Sequence, residues 1–385
     1  MKYSFSKKDT LVVKGIAIIF LVFYHCLSKK GRLLGYDISF APLSQYHAFY
    51  IFDSMNVCVG TFAILSAFGL MRTINYKYLK NGKEKLDRYD SSDFLVRRVI
   101  SLIGAFFIPY IICTLISIFA FNHNPYGEGS VFVLNMLCDM LGIAGLLGTP
   151  LMVETWWYMS FALIIIGLVP ITVNLYKKHG LAALLPYLII PILLNAKFYN
   201  GANLNNMTRW LFTIPLGIML ADSNIYEKMK EFSITKNKVI SKIIKFVIWT
   251  VLLLGLFWLR KQAWGWTYLY YVISSVLPMV FIYWLYEFVC GIKILNSILA
   301  FIGKYSSDIF FMHTFIRAVW FPDFTYSLKY WYAVFAFVMI SSLIMAIAVD
   351  LIRKLVRWDK LMGLVGKKGS EFVSWLLKVP EKENA

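Results

Sequence analysis

LVVKGIAIIFLVFYHCL (Leu11–Leu27) is the first long apolar stretch of the chain, and it carries Lys14 and His25. Burying such groups in a membrane helix is costly, so their presence marks a functional hypothesis. At about 100° per residue, their spacing closes three turns with about 20° to spare. Both side chains therefore leave one helix face, roughly 16 Å apart along the axis. A cation near one membrane face and an imidazole deep toward the other suit a long anionic substrate that bridges them. The competing reading is a snorkelling lysine and a helix-end histidine bonded to backbone.

Similar apolar runs recur along the whole chain, which is 59% hydrophobic with a mean hydropathy of +0.65. This predicts an all-α, polytopic membrane protein without room for a large soluble domain. About ten spans are expected, near 11–27, 50–71, 99–121, 156–175, 181–195, 209–221, 243–259, 266–290, 298–319 and 331–352. With the N-terminus inside, 30 of the 39 Lys and Arg fall in inner segments and inner helix ends, and 9 fall outside. The outer set includes Lys197, Arg209, Arg260 and Arg317. This bias predicts that both termini are cytoplasmic. It also accounts for the net charge of +18 without nucleic acid. Lys2, Lys7 and Lys8 precede an apolar run that lacks a small-x-small cleavage pattern, so an uncleaved first helix is expected.

Two domains are expected, an integral membrane domain over 8–355 and a basic, amphipathic cytoplasmic tail over 356–385. Within the tail, Leu361–Lys378 reads as a helix on the inner leaflet. The Phe121–Glu154 stretch lacks Lys and Arg, and its apolar part is interrupted by Asn135 and Asp139. It reads as an outer re-entrant or interfacial segment. Aromatics such as Trp264 and Trp266 read as interfacial belt. Five scattered cysteines without CxxC spacing argue against a disulfide framework and against a metal site.

Depth along the spans groups the remaining ionisable residues. His313 in span nine reaches about the depth of His25, and Glu154 opens span four at the same end. A carboxylate beside an imidazole would hold its tautomer and make it a better base. Lys14, Arg97, Arg98 and Lys304 gather at the inner face, where arginine and lysine suit a polyphosphate. Neither a GxxxxGK[ST] nor a GxGxxG motif is present. Glu287 and Asp350 are further buried carboxylates, with Asp350 expected to pair structurally with nearby Arg353.

Five segments carry a family resemblance. They are Lys14-x10-His25, GTFAILSAFGL (Gly60–Leu70), FLVRRVISLIGAFFIPY (Phe94–Tyr110), TWWYMSFAL (Thr155–Leu163) and FIGKYSSDIFFMH (Phe301–His313). In this order they resemble the membrane acyltransferase-3 family over about residues 8–355. Ala67 stands where the family usually has glycine, and the Arg-x-x-Arg of its third helix is reduced here to Arg97–Arg98. The resemblance implies an O-acyltransferase, most often an O-acetyltransferase, with acetyl-CoA as donor substrate and no metal. The acceptor would be a cell-surface or lipid-linked glycan, at a bacterial plasma membrane and alongside polysaccharide biosynthesis proteins. Lys14, Arg97 and Arg98 would hold the nucleotide end of the donor. His25 would be the base or a transient acyl carrier, and His313 and Glu154 would orient it or the sugar. Trp156, Trp157 and Tyr158 would stack on the sugar. The rival readings are a transporter or flippase of polysaccharide precursors and a non-enzymatic partner of a glycan assembly complex.

Overall fold

The computed structural model describes residues 4–80, 83–195, 206–263 and 266–377. Lys2, Lys197, Trp264 and Lys378 lie outside the described residues. The chain is an all-α polytopic membrane protein, 81% helical, with no strand among the described residues.

Among the described residues, the α-helices whose bounds are given follow in this order. The first half holds α1 (Lys7–Leu27), α2 (Gln45–Ser54), α3 (Val57–Lys77), α4 (Arg88–Phe121), α5 (Gly129–Met140), α6 (Ala144–Leu147), α7 (Trp157–His179) and α8 (Leu185–Asn195). The second half holds α9 (Thr213–Asp222), α10 (Ile225–Glu231), α11 (Lys238–Gln262), α12 (Thr267–Phe288), α13 (Lys293–Lys304), α14 (Ser306–Phe315), α15 (Pro322–Ser327), α16 (Trp331–Leu355) and α17 (Trp358–Leu376).

Among the described residues, seven helical stretches are long and apolar enough to cross a membrane: Lys7–Leu27, Gln45–Lys77, Arg88–Phe121, Glu154–Pro191, Lys238–Gln262, Tyr268–Phe288 and Trp331–Leu355. Expected spans five, six and nine are not single long helices among the described residues. Span nine breaks at Lys304–Tyr305 into α13 and α14. A π-helical turn, Ile316–Trp320, then continues α14.

α1 begins with a capping box. The Ser6 hydroxyl accepts from the Asp9 N–H at 3.1 Å, and the Ser6 N–H donates to Asp9 Oδ2 at 2.8 Å. α1 then meets α13 with their backbones nearly touching. A Cβ on Gly303 would stand 1.9 Å from the Leu11 carbonyl oxygen, and one on Gly15 would stand 2.1 Å from that of Leu299. Small residues permit this approach, as at many membrane helix interfaces. Leu11 meeting Gly303 and Gly15 meeting Leu299 make α13 antiparallel to α1 at the crossing. α14 turns back, so its Ser306 end lies toward Lys14 and its His313 end toward His25.

The C-terminal helix α17 docks along α4. Trp358 donates from Nε1 to the Gly104 carbonyl at 2.8 Å, and the Ser370 hydroxyl donates to Asp93 at 2.6 Å. The stretch between α4 and α7 holds a short apolar helix, α5, outside the seven candidate spans. Asn135 and Asp139 face inward from it, while Val131, Val133 and Leu134 face outward. Asp139 Oδ2 accepts from the Tyr126 hydroxyl at 2.7 Å and from the Met152 N–H at 2.8 Å, pinning the segment to the chain that enters α7.

Candidate functional site

Lys14 and His25 line one cavity of about 170 Å³. Its wall comes from α1, α3, α4, α7 and α14, and includes Phe62, Ser66, Thr155, Trp157, Tyr158 and Ser306. The same-face spacing in α1 is what brings a cation and an imidazole to a single void. Lys14 makes no ion pair with any described residue.

The partner of His25 is a second histidine. His25 Nδ1 and His313 Nε2 stand 2.6 Å apart, with the rings 8° from parallel. The proton positions follow from the other side of His313. Its Nδ1 faces the carbonyl oxygens of Ile309 and Phe310 at 3.1 and 2.9 Å. Carbonyls only accept, so His313 Nδ1 carries the proton. In the neutral ring, Nε2 is then the acceptor. His25 must donate from Nδ1, which leaves its Nε2 with the lone pair. A ring that lines the cavity therefore holds a free basic nitrogen.

Two threonines extend the chain of hydrogen bonds. Thr155 Oγ1 donates to Thr314 Oγ1 at 3.1 Å, and Thr314 Oγ1 lies 3.1 Å from His313 Nε2. That nitrogen has one lone pair, already taken by the shorter His25 Nδ1–H bond, so the Thr314 hydroxyl only shares it from the side. Two arginines add positive charge beside the pair, since Arg317 and Arg32 both act on His25 and His313. Arg317 is buried in the π-helical turn. Arg32 donates to the carbonyls of His25 and Tyr24 at 2.8 and 3.3 Å, which closes the C-terminus of α1. Burial and the Arg317 charge hold the Arg32 guanidinium below its ordinary pKa.

The remaining candidates separate. Trp157 and Tyr158 line the cavity, and the Tyr158 hydroxyl is buried there beside Ser66. Trp156 does not line it. It is wholly buried, donates from Nε1 to the Phe311 carbonyl at 3.0 Å and packs edge-on to Phe106. Glu154 is exposed in a 3-10 turn, and neither histidine meets it. The residue beside His25 is thus His313 rather than a carboxylate.

At the basic end, Arg97 Nε pairs with Asp93 Oδ1 at 2.5 Å, one turn back on α4. It lines a separate pocket against α17. Arg98 makes no ion pair with a described residue and stands over the Phe94 ring. It lies one turn before Leu102, which lines the Lys14–His25 cavity, so Arg98 shares that face of α4.

Lys304 is held by Asp350 at 3.2 Å rather than standing free. Asp350 also pairs with Lys354 at 2.9 Å, while Arg353 pairs with Asp308 at 2.8 Å. The expected Asp350–Arg353 pair is therefore replaced by two others. Glu287 sits 3.5 Å from Lys245, both buried, as a structural ion pair.

Sequence reasoning missed Thr155, Thr314, Arg32 and Arg317 as neighbours of the histidines. Thr314 directly follows His313, and Thr155 lies within the TWWY segment, so the residues were in view. Only the fold could join them. A family model described as an acyltransferase domain matches residues 12–351. No curated protein and no solved structure matches the chain.

Proposed function

The chain belongs to the membrane acyltransferase-3 family, and we propose that it transfers acetyl from cytosolic acetyl-CoA to a hydroxyl of a cell-surface or lipid-linked polysaccharide. One observation carries this reading. Lys14 and His25 line the same cavity, and the bond from His25 Nδ1 to His313 leaves the lone pair on His25 Nε2.

In the proposed reaction, His25 Nε2 takes the proton of the acceptor hydroxyl as its oxygen attacks the thioester carbonyl. The new C–O bond forms, the C–S bond breaks, and the proton on His25 passes to the departing thiolate. His313 receives the His25 Nδ1–H bond throughout and favours the imidazolium that forms. The Tyr158 hydroxyl, in the cavity wall, supplies a donor for the charge that develops on the carbonyl oxygen.

Lys14 and Arg98, each free of a carboxylate partner among the described residues, would hold donor phosphates. Arg97 is already engaged by Asp93. The positive-inside bias directs Lys14 toward the cytosol. It supports a plasma membrane, proposed as bacterial, where polysaccharide biosynthesis proteins would supply the acceptor.

The test is transfer of labelled acetyl by the purified protein in lipid, from acetyl-CoA to a crude glycan–lipid extract. The expected result is labelled glycan, lost with His25→Ala and accompanied by weaker donor binding with Lys14→Ala. Folded protein that neither binds acetyl-CoA nor labels glycan would reject the proposal.

A further inference from the structure

A second constellation of charge lies at the end of the bundle away from the basic loops, and acetyl transfer does not use it. Arg209 precedes α9, and Arg260 lies near the end of α11. Both reach the same tyrosine. The Tyr270 hydroxyl accepts from Arg209 Nη2 and, at 3.4 Å, from Arg260 Nη2. Both guanidinium groups also stand over the Tyr270 ring, at 4.4 and 5.6 Å from its centroid. Trp210 flanks Arg209 at 4.8 Å.

Neither arginine makes an ion pair with a described residue, and Arg209 Nε is buried without a hydrogen-bond partner. Arg260 is 6% exposed. Asp53 acts on the neighbouring Tyr24 and Lys261 but pairs with neither arginine.

A guanidinium keeps its charge at neutral pH, so neither arginine relieves this by losing a proton. Burying a charge without a counter-charge costs several kcal/mol, and two like charges on one hydroxyl add repulsion. The aromatic faces offset part of this. A bound anion with several acceptor oxygens offsets much more, and phosphate matches the arginine fork.

We propose that Arg209 and Arg260 form a binding site for a phosphate group. The phosphate would come either from a lipid headgroup, including that of a lipid-linked acceptor, or from free phosphate. The site lies one helix away from the Lys14–His25 cavity. Trp210 packs on Gly60 of α3, where an added Cβ would stand 2.7 Å from its ring, and Val59 and Phe62 of that helix line the cavity. Arg209 also acts on Tyr24, the residue before His25. A phosphate held here would place an attached acceptor beside the base. The binding itself is independent of the acetyl-transfer reading.

The experiment measures thermal unfolding and native mass spectra of the purified full chain in detergent. Three additions are compared: phosphatidylglycerol, inorganic phosphate, and diacylglycerol as the phosphate-free control. A saturable stabilisation by phosphatidylglycerol alone assigns the site to a lipid headgroup. The same response to inorganic phosphate assigns it to free phosphate. Either response should weaken at least tenfold in Arg209→Gln and Arg260→Gln, weaken less in Arg260→Lys, and persist in Tyr270→Phe. The proposal is overturned if the wild-type protein responds to neither phosphate source, or if diacylglycerol acts as well as phosphatidylglycerol. It is also overturned if folded Arg→Gln variants respond like wild type. Should the Gln variants not fold, equal responses of Arg260→Lys and wild type would overturn it. No acetyl-CoA is present, so failure here leaves the transferase reading standing.

Discussion

Replacing Gly303 with alanine tests the contact that seats Lys14. The new Cβ would stand 1.9 Å from the Leu11 carbonyl oxygen and 2.9 Å from the Gly15 nitrogen, whereas real Cβ atoms keep at least 3.0 Å. The helices must part by roughly 1 Å, because backbone on both sides leaves no rotamer to turn away. The pressed carbonyl is the one that accepts the Gly15 N–H within α1, next to Lys14. Overpacking of this kind costs up to about 3 kcal/mol, and the helical gain of alanine over glycine returns about 1 kcal/mol. The expected net loss is therefore about 2 kcal/mol. Gly255→Ala on α11 is the control, since nothing lies within 4 Å of its added Cβ. It should leave stability unchanged or raise it. Thermal unfolding in one detergent compares the two directly, and donor binding reports the displacement of Lys14. A Gly303→Ala protein that melts with wild type and binds acetyl-CoA equally well would refute the close crossing of α1 and α13.

The histidine pair should tolerate His313→Gln better than His313→Ala, because a Gln amide oxygen can still accept from His25 Nδ1. The alanine variant is expected to lose about 10²-fold or more in turnover, and equal activity of the two would dismiss the hydrogen bond as a catalytic element. Trp156→Phe should lower the melting temperature with little change in KM, whereas Trp157→Ala should raise KM for donor or acceptor; the reverse pattern in steady-state kinetics would contradict the cavity assignment. Arg98→Gln should raise KM for acetyl-CoA more than Arg97→Gln does, and a titration of initial rates decides between them. Burial pushes the Asp139 carboxyl up to about 6, from an ordinary value of 3.8, against the opposing Met152 and Tyr126 hydrogen bonds. The folded state then holds a proton that the unfolded chain releases, so this group's contribution falls as pH rises from about 4 to about 6. Asp139→Asn should remove that part of the pH dependence of unfolding, and an unchanged profile would count against it.

Legibility in the sequence followed the range of each interaction. The Lys14–His25 relation is local, fixed by helical rotation, and survived into the cavity. The depth of His313 was readable even though its span is broken, because α14 still climbs toward His25. The break at Lys304–Tyr305 had weak local cues, Gly303 and the serines at 306 and 307, within an apolar run that masked them. Arg97 carried a visible signal in Asp93, one turn back, but the basic cluster drew attention to its charge alone. Pairs such as Lys304 with Asp350 join distant segments, and spacing cannot reveal them. Trp156 ends a 3-10 turn and Trp157 opens α7, and successive helical residues point roughly 100–120° apart, so one facing the cavity turns the other away. Which one turns away depends on the neighbours Phe106 and Phe311.

The proton on His313 is directed by main chain. Ile309 and Phe310 present their carbonyls to Nδ1 whatever side chains they carry. The setting of the Nδ1 proton therefore does not depend on which side chains stand at 309 and 310. Substitutions at 309 and 310 can alter packing while the polarity of the relay stays the same. With both histidines in place, it is lost by reshaping the helix itself. The π-helical turn that follows immediately, where the hydrogen-bond pattern already shifts, is the nearest place for that to begin.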